Sequence, residues 1–187
     1  MKKKLLVWGI VVILLVSLVP IPQSIDRTFY GVDTINGKDV DISLDVTYLR
    51  FLFLKDKIYG TIDVKTEEKT FTYGEDLHYL GQTPSVNNAN DNAHDFSGWY
   101  WNNKTYTRDY GNGNLGTATV GFEPVLVHMS SDFDKILILH TPGQKIDEHN
   151  ADEGNEQQEK RRFVGCTDKK QLEIAKNYFI GYYDIEN

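Results

Sequence analysis

Between Asp39 and Thr47 apolar and polar residues alternate without interruption. Val40, Ile42, Leu44 and Val46 hold one parity, and Asp39, Asp41, Ser43, Asp45 and Thr47 the other. Successive side chains of a strand point to opposite faces, so this segment predicts a strand with one face in a core and one in water. A short strand over Phe29–Asp33 precedes it, joined through the turn signal Asn36-Gly37. After Tyr48 the apolar parity changes, which predicts a bulge near Thr47-Tyr48. The unbroken run Phe51–Leu54 predicts a central strand buried on both faces. Ile58, Gly60, Ile62 and Val64 then alternate with Tyr59, Thr61 and Asp63, and Phe71 and Tyr73 make a short return after Glu67-Glu68. Connections this short join antiparallel strands.

Residues 81–95 shift to Pro, Ser, Asn, Asp and Ala and predict a long polar loop. Strands resume at Thr117–Phe122, at Val125–Met129 after Pro124, and at Ile136–His140, pairing back across Ser130–Lys135. If Met129 pairs with Ile136, His128 lies opposite Leu137 and His140 opposite Val125, which puts the two rings on opposite faces. Residues 144–162 are almost free of apolar side chains and predict a mobile polar segment. Phe163–Cys166 predicts a last strand, Thr167 a helix cap, and Leu172, Ala175, Tyr178 and Phe179 one apolar helical face. Gly181 marks the helix stop. The fold class predicted is α+β, mainly β: an antiparallel sheet or sandwich of hairpins with one C-terminal amphipathic helix.

The chain opens on a different pattern. Lys2, Lys3 and Lys4 precede an uncharged apolar run from Leu5 to Val19, continued to Ile21 around Pro20. The run is apolar on every face, so it is not the amphipathic helix of a soluble core. Its length lies near the lower edge of the roughly 17–25 residues that cross a bilayer as a helix. The lysines predict a cytoplasmic start and an outward C-terminus. A cleaved secretory signal is the alternative, but Ser17-Leu18-Val19 and Pro22-Gln23-Ser24 are poor small-x-small cleavage sites. The expected organisation is an anchor or signal over 1–22 and one extracytoplasmic strand-rich domain over 23–187. Its polar segments lie near 81–95 and 144–162. The expected location is the cell membrane, single-pass with the C-terminal domain outside, or the exterior if the signal is cleaved.

Charge and cysteine usage narrow the partners. The chain has 27 acidic and 20 basic residues, for a net charge of −7, and three of the bases sit in the lysine start. A nucleic acid is excluded as a partner, because binding one depends on phosphate neutralisation. The single cysteine, Cys166, cannot form an internal disulfide, and its neighbours Phe163 and Val164 predict burial. No Gly-x-Ser-x-Gly, His-Glu-x-x-His or phosphate-loop pattern occurs, so no catalytic residue and no cofactor are assigned.

The most suggestive cluster is aromatic: Trp99, Tyr100, Trp101, Tyr106 and Tyr110, flanked by Asn102, Asn103, Asp109 and Asn112. Flat rings beside amides suit a sugar ligand, while the same rings also fill sheet cores. The run Asn87–Asp95 offers oxygen ligands at alternate positions but lacks the central glycine and closing glutamate of a calcium loop. His94 with Asp91 and Asp95 has no second histidine at ligand spacing. No metal site is assigned.

The lysine start, the run ending Val19-Pro20-Ile21-Pro22 and the hairpin Leu54-x-Asp56-x-x-x-Gly60-x-Ile62 resemble pieces of small membrane-anchored proteins of Gram-positive bacteria. The last strand, Thr167-Asp168 and the C-terminal helix extend that resemblance, which covers a minor part of the chain. Those proteins have no assigned activity. The resemblance implies a membrane location and a β-rich domain and supplies no functional residues. The expected function is a non-enzymatic, membrane-anchored binding or interaction domain at the cell surface. Its partners would be the membrane through residues 5–21 and a cell-surface glycan or envelope protein. A glycan-binding module built on the aromatic cluster and an uncharacterised envelope hydrolase are the alternatives.

Overall fold

The computed structural model describes Trp8 and residues 19–52, 54–74, 77–84, 92–109, 115–141 and 160–183. For 83–84, 101–109, 115–122 and 183 it describes the backbone alone. In chain order the strands are β1 (Ile21–Asp33), β2 (Asp39–Arg50), β3 (Lys57–Lys65), β4 (Thr70–Tyr73) and β5 (His78–Pro84). They continue with β6 (Asn92–Asp109), β7 (Leu115–Met129), β8 (Lys135–His140) and β9 (Arg161–Cys166). A 3-10 turn, Lys169–Gln171, leads into the helix α1 (Leu172–Tyr183). Among the described residues no helix is long and apolar enough to cross a membrane. Apart from Trp8 and Val19, the apolar run 5–19 lies outside the described residues.

The mainly β, antiparallel prediction holds, with a change of architecture. The sheet runs β4-β3-β2-β1-β9-β8-β7-β6-β5. Tyr73 of β4 also pairs with Tyr100 of β6, which closes eight strands into an up-and-down barrel. β5 is the extra strand, lying farther along the same edge of β6. The result is a closed barrel in place of an open sheet or sandwich. Alternation along a strand shows which face is buried but not which edges meet. Here β1 pairs with β2 on one edge and β9 on the other, joining the two hairpin sets. The starts of β1 and β3 and the end of β2 share one end of the barrel, the proximal end. Asp33, His140 and Arg161 mark the distal end.

Alternating residues fill the interior. Phe29, Ile42, Leu44, Ile62, Val64, Phe71, Phe96, Val127, Met129, Ile136, Ile138 and Phe163 are all buried inside. An eight-stranded barrel is about wide enough for its own side chains. The helix covers the outside of β8 and β9. Ala175 and Phe179 pack with Leu137, Val164 and Cys166, and Leu172 and Tyr178 border them. Strands β8 and β9 are therefore buried on both faces. The predicted helical face and the buried Cys166 are as expected, the thiol donating to the Asp168 carbonyl at 2.9 Å. The helix entry differs. Asp168, not Thr167, caps the 3-10 turn by accepting from the Lys170 N–H, and α1 runs through Gly181.

Three further expectations are corrected. The alternation of β2 continues through buried Tyr48 to Arg50, in unbroken register with β1 and β3 and with no bulge at Thr47-Tyr48. Phe51, Leu52 and Leu54 form no strand. They lie on the β2–β3 connection, where Leu52 is 61% and Leu54 52% exposed. Asp56 causes this: its carboxylate accepts the Phe51 N–H at 2.8 Å and the Tyr48 hydroxyl, folding the chain back at Arg50. The described flanks of the polar stretch, 81–84 and 92–95, are strand, because Gln82, Thr83 and Pro84 pair with His94, Ala93 and Asn92. Polar side chains do not prevent an edge ladder whose backbone groups find partners. Residues 85–91 lie outside the described residues, as do 142–159, while Arg161 and Arg162 of the predicted polar segment belong to β9.

Gly60 sets the shape of β3. Its φ is +129°, and a Cβ there would stand 2.1 Å from the Asp45 carbonyl oxygen. Gly81 also has a positive φ, +146°, but open space around its would-be Cβ. Gly60→Ala is expected to cost about 3 kcal/mol of stability, through backbone strain plus overlap. Gly81→Ala should cost about 1 kcal/mol from strain alone. Urea unfolding followed by far-UV circular dichroism measures both, and equal losses would contradict the packing account.

Candidate functional site

The barrel is stoppered at each end by an aromatic cluster that includes a buried histidine. At the proximal end the His94 ring stacks on Phe133, centroids 4.6 Å apart, and Tyr48 packs edge-on to Tyr79 at 5.3 Å. The Tyr79 hydroxyl lies 3.3 Å from His94 Nδ1. Phe133 adopts a left-handed φ of 58° in the β7–β8 turn. That conformation is uncommon for a bulky residue, and here it delivers the ring into the barrel mouth. Burial and the Asp56 hydrogen bond push the Tyr48 phenol far above its ordinary pKa, and burial raises Tyr79.

The distal cluster joins four strands. Tyr73 (β4), Tyr100 (β6), Glu123 (β7) and His140 (β8) meet around Phe71. His140 Nε2 lies 2.5 Å from Glu123 Oε2, and its Nδ1 3.3 Å from the Tyr73 hydroxyl. A neutral ring with its proton on Nε2 satisfies both contacts, donating to the carboxylate and accepting from the phenol. Burial lowers the His140 pKa despite Glu123, and burial also raises Tyr73 and Tyr100. Lys69 Nζ sits 4.2 Å and Arg161 Cζ 5.0 Å from the Phe71 ring centre, in cation–π contact. His140, Glu123 and Tyr73 are buried, so the cluster ties the closing strands together.

His128 and His140 fall on opposite faces, with Met129 paired to Ile136 as the spacing predicts. His128 faces outward, 2.7 Å from Asp95, with the Tyr182 ring of α1 4.5 Å away. His94 and Asp95 are neighbours on one strand and point to opposite faces, inward to Tyr79 and outward to His128. They cannot converge on one cation. Among the described residues no group of three or more His, Cys, Asp or Glu could hold a metal ion. Asn87–Asp91 of the candidate calcium loop lie outside the described residues.

The aromatic cluster singled out by the sequence is divided. Trp99 faces outward at 42% exposure, on the same side as exposed Pro124 and Leu126. Tyr100 turns inward into the distal cluster. Trp101 and Tyr106 are backbone positions farther along β6, and Tyr110 lies outside the described residues. From Trp101 and Phe122 outward, β6 and β7 pair only with each other among the described residues, through Asp109 and Leu115. This two-stranded ribbon projects from the distal end by roughly 25 Å at about 3.3 Å per residue.

A cleft opens in the barrel wall. β4 ends at Tyr73 and β5 begins only at His78. The first half of β3 therefore faces β5 across a gap of about 390 Å³, lined by Asp56, Lys57, Tyr59, Leu77, His78 and Tyr79. Sequence reasoning missed this cleft and the buried Glu123. Glu123 was detectable from its parity with Val125, Val127 and Met129. The cleft was not, since it depends on where a four-residue strand stops.

Comparison of the chain with protein-family models, with curated proteins and with solved structures finds no match.

Burial makes the His140 proton cost stability. The unfolded chain takes it up at the ordinary pKa of 6.5, while the folded state resists it. Stability therefore falls as pH drops below about 6.5. His140→Gln, which can donate to Glu123 and accept from Tyr73, should unfold with a smaller pH dependence between about pH 7.5 and about pH 5.5. Glu123→Ala should cost about 2 kcal/mol near neutral pH by stranding the ring N–H. Urea midpoints across that pH range test both, and an unchanged slope in His140→Gln would refute the assignment.

Proposed function

We propose that this chain is a membrane-anchored extracytoplasmic domain that binds a partner at the cell surface without catalysing a reaction on it. One observation carries the proposal: the ribbon of β6 and β7 stands at the end of the barrel opposite to the start of β1. The apolar run behind its three lysines leads into β1. A tether at one end and a projecting ribbon at the other suit a domain that reaches away from its membrane. The filled barrel interior supports the same reading, because it favours contact on the outside over carriage within. The partner is a glycan or an envelope protein.

The exposed Trp99 favours the glycan version, with its indole beside Pro124 and Leu126 on the outer face. Stacking of a sugar on that indole needs neither Tyr100, which is turned inward, nor a closed pocket.

Binding of the full chain, reconstituted in vesicles, to isolated surface polysaccharide and to envelope proteins tests the proposal. Replacing residues 103–120 by an Asn-Gly turn is expected to weaken binding about tenfold, or about 1.4 kcal/mol, with the barrel's circular dichroism unchanged. Trp99→Ala should weaken polysaccharide binding alone. Equal binding by the shortened and full-length ribbons would overturn the proposal. An unaltered Trp99→Ala variant would leave a protein partner.

A further inference from the structure

The proximal end carries a second feature, on the β2–β3 connection. Leu52 and Leu54 are 61% and 52% exposed there, although they belong to one of the most apolar stretches of the chain. The connection is held in shape: Asp56 turns its carboxylate onto the Phe51 N–H and the Tyr48 hydroxyl, so it does not cap the apolar tip with charge. Arg50, Lys55 and Lys57 flank the tip and are exposed. The register places it beside the chain's entry into the barrel, with Ile21 opposite Arg50 and Leu49 opposite Lys57. Val19 and Ile21 are themselves 61% and 58% exposed. Exposed apolar side chains thus lie on both the last residues of the N-terminal run and the hairpin tip beside it.

We propose that the β2–β3 tip inserts Leu52 and Leu54 into the interface of the bilayer that holds residues 5–19. Arg50, Lys55 and Lys57 then face lipid phosphates. The inference rests on the membrane-anchor reading. Apolar side chains rimmed by cations are the composition that settles at the headgroup–acyl boundary. One strand pair, Ile21 with Arg50, keeps the tip within reach of the surface whenever the anchor is in place. The barrel is thereby held at two points, which fixes its orientation and directs the β6–β7 ribbon away from the membrane.

The test uses the full chain in vesicles of mixed zwitterionic and anionic lipid, with Cys166→Ala as background. A single cysteine is placed at Leu52, at Leu14 in the apolar run, or at Ile35 in the distal β1–β2 turn, and labelled with a polarity-sensitive fluorophore. Quenching by a lipid-borne agent at Leu52 and Leu14, with Ile35 quenched only from the aqueous phase, is the expected result. Adding Leu54→Asp should move the Leu52 label to the aqueous pattern and shift its emission to the red. A lipid-buried Leu14 label with a water-quenched Leu52 label would overturn the inference and leave the anchor intact. A Leu52 label shielded from both quenchers would also overturn it, since protein would then cover the tip. A water-quenched Leu14 label would remove the anchor and the inference together.

Discussion

Among the described residues the barrel closes at a single cross-strand pair, Tyr73 with Tyr100. Every other neighbouring pair in the wall is joined by a ladder of at least four positions. One pair supplies little ladder energy, so side chains must hold the seam. Phe71, Tyr73, Tyr100 and His140 pack ring on ring across it, and the His140–Glu123 hydrogen bond ties β8 to β7 just behind. A buried polar group is costly unless its partners are present. The distal cluster therefore works as a condition on closure: its hydrogen bonds are made only when β4, β7 and β8 are together, and its ring packing only when β6 brings Tyr100. Where β4 ends, the seam opens into the cleft against β5.

This closure decides where a ligand can go. An eight-stranded barrel whose inward positions are Phe, Tyr, Ile and Met has little room left inside. The interior is stoppered by Phe133 and His94 at one end and by the tyrosine–histidine cluster at the other. On the proposed binding reading, contact falls to the outer surface, the cleft and the ribbon. The outer surface is not uniform, since α1 covers β8 and β9 and leaves β6 with Trp99 exposed.

Much of the wall was legible in the sequence. Period-2 alternation marked the inward residues of β2, β3 and β4, and hairpin arithmetic placed His128 and His140 on opposite faces. The helix was legible because Leu172, Ala175, Tyr178 and Phe179 need only local spacing. What failed was tertiary. Which edges meet is set by the β1–β9 pairing, between segments more than a hundred residues apart, and no local pattern records it. The division of Trp99 from Tyr100 was available in principle, because adjacent residues of a strand face opposite ways. The polarity of 81–95 misled for the opposite reason: an edge strand pairs through its backbone and tolerates polar side chains.

The run Phe51–Leu54 shows why a short apolar stretch is ambiguous. Burial on both faces of a sheet and exposure to lipid demand the same composition, and four residues carry no period to separate them. The strands that are buried twice are β8 and β9, which gained a second cover from α1. Leu52 and Leu54 gained none, because Asp56 ends the strand before them. In an up-and-down barrel the ends of the strands alternate, so the end of β2 returns to the level at which β1 begins. The β7–β8 turn, Ser-Ser-Asp-Phe-Asp over 130–134, reaches the same end with polar side chains and one phenylalanine, whose ring is buried inward. Among the described residues, exposed apolar side chains gather at that end next to the chain's entry, at Val19, Ile21, Leu52 and Leu54. Solvent alone would select against that grouping. The proposed anchor would set a bilayer at the entry point, and a bilayer there reverses the preference on the side of the barrel where β1 and the β2–β3 tip lie.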